Sequence, residues 1–290
     1  TILTHVFGGS AGREGTAIQM GASISDQLNF IGKFSDQDRT ILLMCGMAAG
    51  FSSLFGTPLA GTVFALEVVF IGKLMYDGIV PVVLSAFIAY YVCGLWPVEH
   101  TQYCIGDIPD LNFLNLGWLI LASIAFGIIS KVFSLGMFWL TNQYKKYISS
   151  SLLRPVIGGV IVAGLIYFLG FKYAGLGLDT IVESFSVQQG LEVFALKLAL
   201  TVLTLSAGFR GGEVTPLFFI GATLGSALSI FIPLPIGLLA GVGFVAVFSG
   251  ATNSPIACTL MGLELFSGGS LGFSLPIFIA FGCFIAYYIS

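Results

Sequence analysis

The chain has few charged residues, few histidines and no cluster of basic side chains. Only 9% of its 290 residues are charged, against about 25% in a typical soluble domain. No run of Lys and Arg alternates with aromatic residues, so we do not expect nucleic acid as a partner. The two histidines, His5 and His100, are isolated, and we expect neither of them to have a functional role.

Cysteine is also scarce, and its pattern excludes a disulfide framework. The five residues are odd in number and scattered, and four of them lie in apolar segments. We interpret them as small core residues rather than as metal ligands or disulfide partners. They are Cys45, Cys93, Cys104, Cys258 and Cys283. We also expect the functional site to lack a metal ion and an organic cofactor.

Apolar residues dominate what remains, which indicates a membrane protein. They make up 57% of the chain, and the mean hydropathy is +1.00. Several apolar runs pass the length of about 18 residues that a spanning helix needs, among them 116–141 and 217–250. Others are short and interrupted by Gly or Pro. Because there are 38 glycines, we expect an all-α membrane protein with closely packed, broken and tilted helices.

One apolar stretch occurs twice. Residues 46–69 read GMAAGFSSLFGTPLAGTVFALEVV, and residues 243–266 read GFVAVFSGATNSPIACTLMGLELF. The same offset carries FIAYY from 87–91 onto 284–288. Internal repeats in a hydrophobic chain are typical of secondary transporters, in which the substrate site lies between the repeats.

The repeat predicts the organisation of the chain. A complete pair would need roughly 390 residues, so we expect this chain, which opens at Thr1, to be the later part of a longer protein. We predict residues 1–94 as the C-terminal part of the first transmembrane repeat, 95–115 as the loop between repeats, and 116–290 as the second repeat. Together they form one membrane domain.

Hydrophobic periodicity places a series of helices along the chain. They are predicted near 14–30, 39–53, 58–71, 78–94, 116–147, 155–170, 179–188, 191–207, 214–230, 235–250, 254–267 and 272–289. Polar loops are predicted at 31–38, 95–115 and 171–178.

Two glycine-rich turns occupy corresponding places in the two repeats. The first is GGSAGREGT at 8–16, and the second is SAGFRGGEVTP at 206–216. Each carries glycines, one Arg, one Glu and a Thr directly before an apolar helix. We expect Arg13 and Arg210 to bind loop carbonyls or to face solvent.

Such a turn is suited to binding an anion. Glycine lets an ion approach the backbone closely, and the following helix offers free N–H groups and the positive end of its dipole. We predict an anion site formed by backbone N–H groups around 15–17 and 214–217. A carboxylate at the same place, Glu14 or Glu213, competes with the anion when ionised and can leave when protonated. The anion-binding residues that we predict are Gly12, Gly15, Thr16, Gly212, Val214 and Thr215.

Other polar residues and motifs of the chain have different explanations. Glu67 and Glu264 occupy equivalent repeat positions near helix ends, which favours a structural role. The sequence Gly8-Gly9-Ser10-Ala11-Gly12 matches the GxSxG nucleophile elbow of hydrolases, but that elbow follows a strand and needs a His partner. We therefore expect no enzyme activity. A membrane scaffold without transport would not explain two carboxylates at glycine-rich helix starts.

At these motifs the sequence resembles the CLC chloride channel and transporter family. GREGT at 12–16 is similar to the family's GREGP/GKEGP motif, GGEVTP at 211–216 to its GxFxP motif, and GTPLAGTVFALE at 56–67 to its following helix. The resemblance implies a CLC-like inverted-repeat fold and a homodimer in which each subunit has its own anion path. It also implies that Glu14 is the external gating glutamate and that the protein lies in a membrane, which we expect to be a bacterial plasma (inner) membrane.

The departures from the common motifs resemble the fluoride/proton antiporter branch of that family. Thr16 replaces a Pro, and Glu213, Val214 and Thr215 replace an apolar-Phe-Ala pattern. Val68 stands where many proton-coupled members carry a glutamate. The resemblance implies proton coupling through Glu213, with Thr215 near the ion path. We expect fluoride and protons as substrates. The alternative is a chloride channel or a chloride/proton exchanger of the same fold.

Overall fold

The chain forms a series of helices in the computed structural model, which describes residues 1–32, 34–69, 75–98, 100–266 and 273–290. Within these ranges there is no β-strand beyond one isolated bridge. Before residue 95 the chain forms α1 (Ile2–Val6), α2 (Glu14–Asp26), α3 (Asp36–Phe55), α4 (Pro58–Val68) and α5 (Ile79–Cys93). After residue 112 it forms α6 (Phe113–Tyr147), α7 (Leu153–Leu169), α8 (Leu178–Glu183), α9 (Leu191–Ser206), α10 (Val214–Leu228), α11 (Ile236–Thr252), α12 (Pro255–Leu265) and α13 (Ser274–Ile289).

All twelve predicted helices are found in the predicted order. The helix predicted at 14–30 is α-helical as far as Asp26 and continues as a 3₁₀ turn, Gln27–Phe30. The helix predicted at 179–188 is shorter, since α8 ends at Glu183. The short α1 is not predicted by the sequence. The outermost residues of three predicted helices, at 70–71, 267 and 272, lie outside the described residues. The division at 94/95 and 115/116 stays a prediction.

Few of the helices are long enough to cross a membrane alone. Two described segments, Tyr76–Cys93 and Phe113–Tyr147, have the required length and hydropathy. The apolar run 217–250 is divided between α10 and α11, as predicted from the helices near 214–230 and 235–250, and the chain turns at 229–235. Short apolar helices of this kind place helix ends inside the protein, where free backbone groups can line a cavity.

The internal repeat is reproduced in the tertiary contacts. The Ser52 hydroxyl donates to the Ala86 carbonyl at 2.7 Å, and the Ser249 hydroxyl donates to the Cys283 carbonyl at 3.0 Å. The third and eleventh helices also end alike. The residue after α3, Gly56, and the residue after α11, Asn253, both adopt the left-handed conformation that closes a helix. The sequence repeat is therefore a structural repeat.

Helices α10 and α11 form the centre of the second repeat. Every residue from Val214 to Ala227 is buried, and so is every residue from Gly237 to Gly250. The two helices approach closely where Gly221 faces Gly243, since a Cβ on either glycine would meet the other's carbonyl oxygen. The start of α10 is thereby fixed deep inside the protein, and the second glycine-rich turn is fixed with it.

Candidate functional site

The two glycine-rich turns lie side by side at the starts of α2 and α10. Gly12 and Gly212 exchange backbone hydrogen bonds, with each N–H donating to the other's carbonyl oxygen at 2.6 Å. The pairing is antiparallel, so the two segments run through the junction in opposite directions. The structure thus joins two motifs that are far apart in the sequence.

Glycine is required at this junction because the two backbones are nearly in contact. A Cβ at Gly12 would lie 3.0 Å from the carbonyl oxygen of Gly212, and one at Gly212 would lie 2.8 Å from the backbone nitrogen of Gly15. Side chains at these positions would therefore separate the two helix starts.

Gly212→Val tests this close approach. We expect the added branched side chain to push the helix starts apart and to lower the free energy of unfolding by about 1–3 kcal/mol, as overpacking does. Thermal unfolding in detergent measures the effect. Gly164→Val in α7 is the matched control, since nothing lies within 4 Å of its Cβ position. Equal behaviour of the two variants would contradict the argument.

The free backbone donors at α2 are fewer than the sequence predicts. Donors are expected over 15–17, but Thr16 and Ala17 both donate to the carbonyl oxygen of Arg13, at 3.1 and 3.3 Å. The first turn of the helix is tightened by these bonds. Among the described residues, the N–H of Gly15 is left without a partner.

The same reduction occurs at α10. The sequence predicts donors over 214–217, but Pro216 has no N–H, and Leu217 donates to the carbonyl oxygen of Glu213 at 3.0 Å. Within the described part of the chain, the backbone N–H groups of Val214 and Thr215 remain unbonded. Of the backbone donors predicted at α2 and α10, three N–H groups are therefore free among the described residues, those of Gly15, Val214 and Thr215.

A cavity of about 200 Å³ lies on one side of the junction, and we call it the first cavity. Glu14 and Thr215 both line it. Thr215 is 2% exposed, and its hydroxyl has no hydrogen-bond partner among the described residues. A buried hydroxyl rarely stays unpaired, so this one is suited to bind a ligand or a water molecule in the cavity. The other lining residues are Arg13, Ser53, Leu54, Phe55, Val98, His100, Thr101, Tyr103, Leu178, Phe218, Phe244 and Leu265.

Glu14 is held at the beginning of α2 by the backbone. It is 6% exposed, and its carboxylate accepts a hydrogen bond from the N–H of Arg13 at 2.9 Å. This N–H belongs to the residue that precedes the helix, so the carboxylate occupies the positive end of the helix dipole. A free anion would be attracted to the same place.

A second cavity, of about 810 Å³, lies on the other side of the junction. It is lined by Glu213 together with four other predicted site residues, Gly15, Thr16, Gly212 and Val214. Neighbouring residues at each helix start therefore face different cavities, and the paired turns separate the two spaces. Val68 also lines the second cavity, so it lies on the same cavity as Glu213.

Each cavity contains one guanidinium and one carboxylate. Arg13 lines the first cavity with Glu14, and Arg210 lines the second with Glu213. Both arginines are exposed, as expected, and neither forms an ion pair within the described ranges. The positive charge is therefore available to attract an anion into either cavity.

Glu67 and Glu264 have the structural role that their duplicated position favours. Glu67 accepts hydrogen bonds from the N–H groups of Ile256 and Ala257, at 3.2 and 2.9 Å, at the start of α12. Glu264 does the same for the start of α4, accepting from the N–H groups at 59 and 60, at 3.0 and 2.9 Å. Each repeat thus caps a helix of the other.

Removing either cap should destabilise the protein. Glu264→Ala leaves two backbone N–H groups without an acceptor, which costs about 2–4 kcal/mol of unfolding free energy. We expect Glu67→Ala to cost a similar amount, because its geometry is the same. Thermal unfolding of both variants and of the double variant measures this. A fully stable Glu264→Ala would contradict the structural role.

Lys197 is a buried amine that the sequence patterns above did not identify. Its side chain is fully buried in α9, and its ammonium donates to the carbonyl oxygens of Tyr173 and Gly175, at 3.1 and 2.7 Å. The N–H of Gly175 in turn donates to the carbonyl oxygen of Gly9 in the first motif, at 3.1 Å. Lys197 therefore holds the segment that supports this motif. A lone lysine within an apolar helix is the signal that could have identified it.

Two further residues of the first cavity come from the segment between α5 and α6. The ring of His100 is hydrogen bonded to the Ser53 carbonyl through Nε2 at 2.9 Å. The other is Tyr103, which is 7% exposed. Neither was predicted as a site residue, and no sequence pattern connects this loop to the glycine-rich motifs. Only the tertiary fold brings them to Glu14.

The fold and the junction define a membrane protein made of two inverted repeats whose broken helices meet between two cavities. The sequence profile of the voltage-gated chloride channel family matches residues 1–290. The chain therefore belongs to this family.

Two relatives show how much of such a protein the chain covers. A chloride/fluoride channel protein of Pseudomonas syringae pv. tomato is 43% identical over 297 residues, which cover 100% of this chain and 65% of the relative. An uncharacterized protein of Methanocaldococcus jannaschii is 25% identical over 284 residues, covering 97% of this chain and 70% of the relative. The chain thus spans about two thirds of the length of these relatives.

Solved structures are also similar. The crystal structure of a CLC-type fluoride/proton antiporter matches with a TM-score of 0.93 and 39% identity, covering 99% of this chain and 72% of that one. The structure of a slow cyanobacterial Cl⁻/H⁺ antiporter matches with a TM-score of 0.80 and 20% identity, covering 99% and 69%. Because the cyanobacterial antiporter is only 20% identical, its similarity supports the fold of this chain and says nothing of its function.

Proposed function

We propose that this protein exchanges fluoride for protons across a membrane and thereby exports fluoride. One observation carries the proposal: the paired helix starts separate two cavities, and each cavity holds one of the two carboxylates, Glu14 or Glu213. Coupled exchange needs a group that can take up a proton on either side of the anion site. The position of these two carboxylates meets that need.

The anion site is proposed at the junction itself. The unbonded N–H groups of Gly15, Val214 and Thr215 lie at the positive ends of two helices, which favours a small anion. The buried Thr215 hydroxyl adds a further donor that has no protein partner among the described residues. We regard Gly12 and Gly212 as the residues that allow this approach, and Thr16 as part of the wall on the second cavity.

Glu14 would compete with the anion for this site. When it is ionised, its carboxylate occupies the helix start and accepts from the Arg13 N–H. Once protonated, it loses the charge that holds it there, and an anion can take its place. Glu213 would exchange protons with the second cavity, a role that Val68 cannot fill.

Fluoride is favoured over chloride by the chemistry of the donors. A hydroxyl and backbone N–H groups are strong donors for a small anion of high charge density, whereas a larger halide gains less from them. The descriptions of two similar proteins support this choice, since the Pseudomonas relative is named as a chloride/fluoride channel protein and the 39% identical structure as a fluoride/proton antiporter.

Flux from proteoliposomes tests the proposal. The purified full-length protein is reconstituted with fluoride or chloride inside, and both anion efflux and external pH are recorded. We expect fluoride efflux accompanied by proton uptake into the vesicles and little chloride efflux. Chloride efflux at an equal or greater rate would replace fluoride by chloride as the substrate. Anion efflux without any pH change would make the protein a channel.

The assembly and location follow from the same proposal. We propose a homodimer with one anion path in each subunit, in a bacterial plasma membrane. The repeat-related helices α5 and α13 carry exposed apolar side chains that suit burial against lipid or a second subunit. These side chains include Leu84, Ile88, Tyr91, Phe281, Phe284 and Tyr288.

A further inference from the structure

Tyr103 is fixed at the first cavity by its backbone and by its ring. Its N–H donates to the carbonyl oxygen of Leu265, the last residue of α12, at 3.3 Å. The ring packs between Phe185 and Phe244, with centroid distances of 5.2 and 5.1 Å, and Phe266 lies at 6.4 Å. Three aromatic contacts leave the ring little freedom, so the position of the hydroxyl is set by the fold.

The hydroxyl oxygen is the only polar atom of the Tyr103 side chain, whose ring is packed among aromatic residues. Tyr103 is 7% exposed and lines the first cavity with Glu14 and Thr215. No hydrogen bond of its hydroxyl is found among the described residues. The hydroxyl of a largely buried tyrosine normally has a hydrogen-bond partner in the protein or in a neighbouring cavity. Its partner is therefore expected to be a molecule or ion inside the cavity.

The protonation state of Tyr103 makes it a donor. Burial, and to a smaller extent the negative charge of Glu14, raise the pKa of Tyr103 to about 12. Because this value lies far above the pH of any cell, the phenol keeps its proton and can donate a hydrogen bond at every working pH. An anionic partner satisfies such a donor better than a neutral one.

We propose that the Tyr103 hydroxyl, together with the Thr215 hydroxyl, binds the transported anion in the first cavity and contributes to the preference for fluoride. This inference rests on the proposed function and adds a residue to it. Two hydroxyl donors in a cavity that Phe218 and Phe244 also line would replace part of the hydration shell of a small anion. A larger anion, with its charge spread over more surface, gains less from each donor.

Tyr103→Phe tests the proposal, because it removes the hydroxyl and keeps the ring. In proteoliposomes we expect the half-saturating fluoride concentration to rise roughly tenfold, the loss of one hydrogen bond to a charged group. The ratio of fluoride to chloride flux should fall, while the maximal rate and the proton coupling persist. A change of affinity at constant maximal rate separates binding from general damage.

Tyr144→Phe is the matched control. Tyr144 is a buried tyrosine of α6 that lines neither the first nor the second cavity, so loss of its hydroxyl should leave the half-saturating fluoride concentration unchanged.

A double-mutant cycle that combines Tyr103→Phe with Thr215→Val adds a second measurement. If both hydroxyls bind one ion, the two substitutions together should raise the half-saturating concentration by a factor different from the product of the single effects.

The outcomes distinguish this inference from the proposed function. If the wild-type protein moves neither fluoride nor chloride, the proposed function fails. If the wild type moves fluoride and Tyr103→Phe has the same half-saturation and the same selectivity, the hydroxyl binds only water and the inference is overturned. If Tyr103→Phe does not fold, the hydroxyl is a structural element, which also overturns it.

Discussion

Glu14→Gln should separate anion movement from proton movement. Glutamine has nearly the same shape as a protonated glutamate, but it cannot release or accept a proton. We expect proton transport to fall by at least about 100-fold, the lower end of what a positioned proton-transfer group contributes. Fluoride should still move down its gradient, because the neutral side chain no longer competes for the Arg13 N–H and the helix start.

Fluoride efflux and external pH recorded in the same proteoliposomes measure the effect of Glu14→Gln. Glu192→Gln is a suitable control, since Glu192 also lies in the first turn of a helix, α9, but is exposed and lines neither the first nor the second cavity. We expect that control to keep the wild-type ratio of protons to fluoride. If Glu14→Gln also kept it, the carboxylate would be only a capping charge.

Glu213→Ala should have an effect of similar size on the other side of the junction. Glu213 is the residue that precedes α10, yet its side chain forms no capping hydrogen bond. Its removal therefore costs the helix little, and a folded variant is expected. Because Val68 offers no carboxylate in the second cavity, we expect proton transport to fall by about 100-fold or more. Coupled fluoride export should then stop.

A compensating substitution sharpens the test of Glu213. Val68 lines the same cavity, so Val68→Glu in the Glu213→Ala background should restore part of the proton transport. The pH record from fluoride-loaded proteoliposomes measures both variants. If Glu213→Ala transports fluoride and protons at the original ratio, Glu213 has no part in the coupling, and the case for fluoride loses its strongest sequence support.

The sequence predicted the elements of the fold well, because each of them depends on local patterns. Apolar periodicity located the helices, and the repeated stretch predicted that Glu67 and Glu264 would have one structural role in each repeat. The glycine-rich motifs predicted two helix starts that bind the same ion. The contact between Gly12 and Gly212 brings these starts together.

The details of the site depend on tertiary contacts and could not be predicted. Pro216 and the tightened first turn of α2 remove donors that a simple helix start would offer. The contribution of Tyr103 depends on a loop that passes α12, and no spacing in the sequence connects it to Glu14. Lys197 was visible as a lone charge in an apolar helix, but its carbonyl partners in the neighbouring loop were not.

The reciprocal caps have a consequence for the synthesis of the chain. The N–H groups at the start of α4 find their acceptor in Glu264, which follows Leu59 by 205 residues. At a translation rate of about 5–20 residues per second, α4 waits on the order of 10–40 s before its partner has been made. During that interval its first turn lies uncapped in the membrane. The nascent first repeat should therefore need water, lipid headgroups or an insertion factor at this helix end until the ribosome has completed the second.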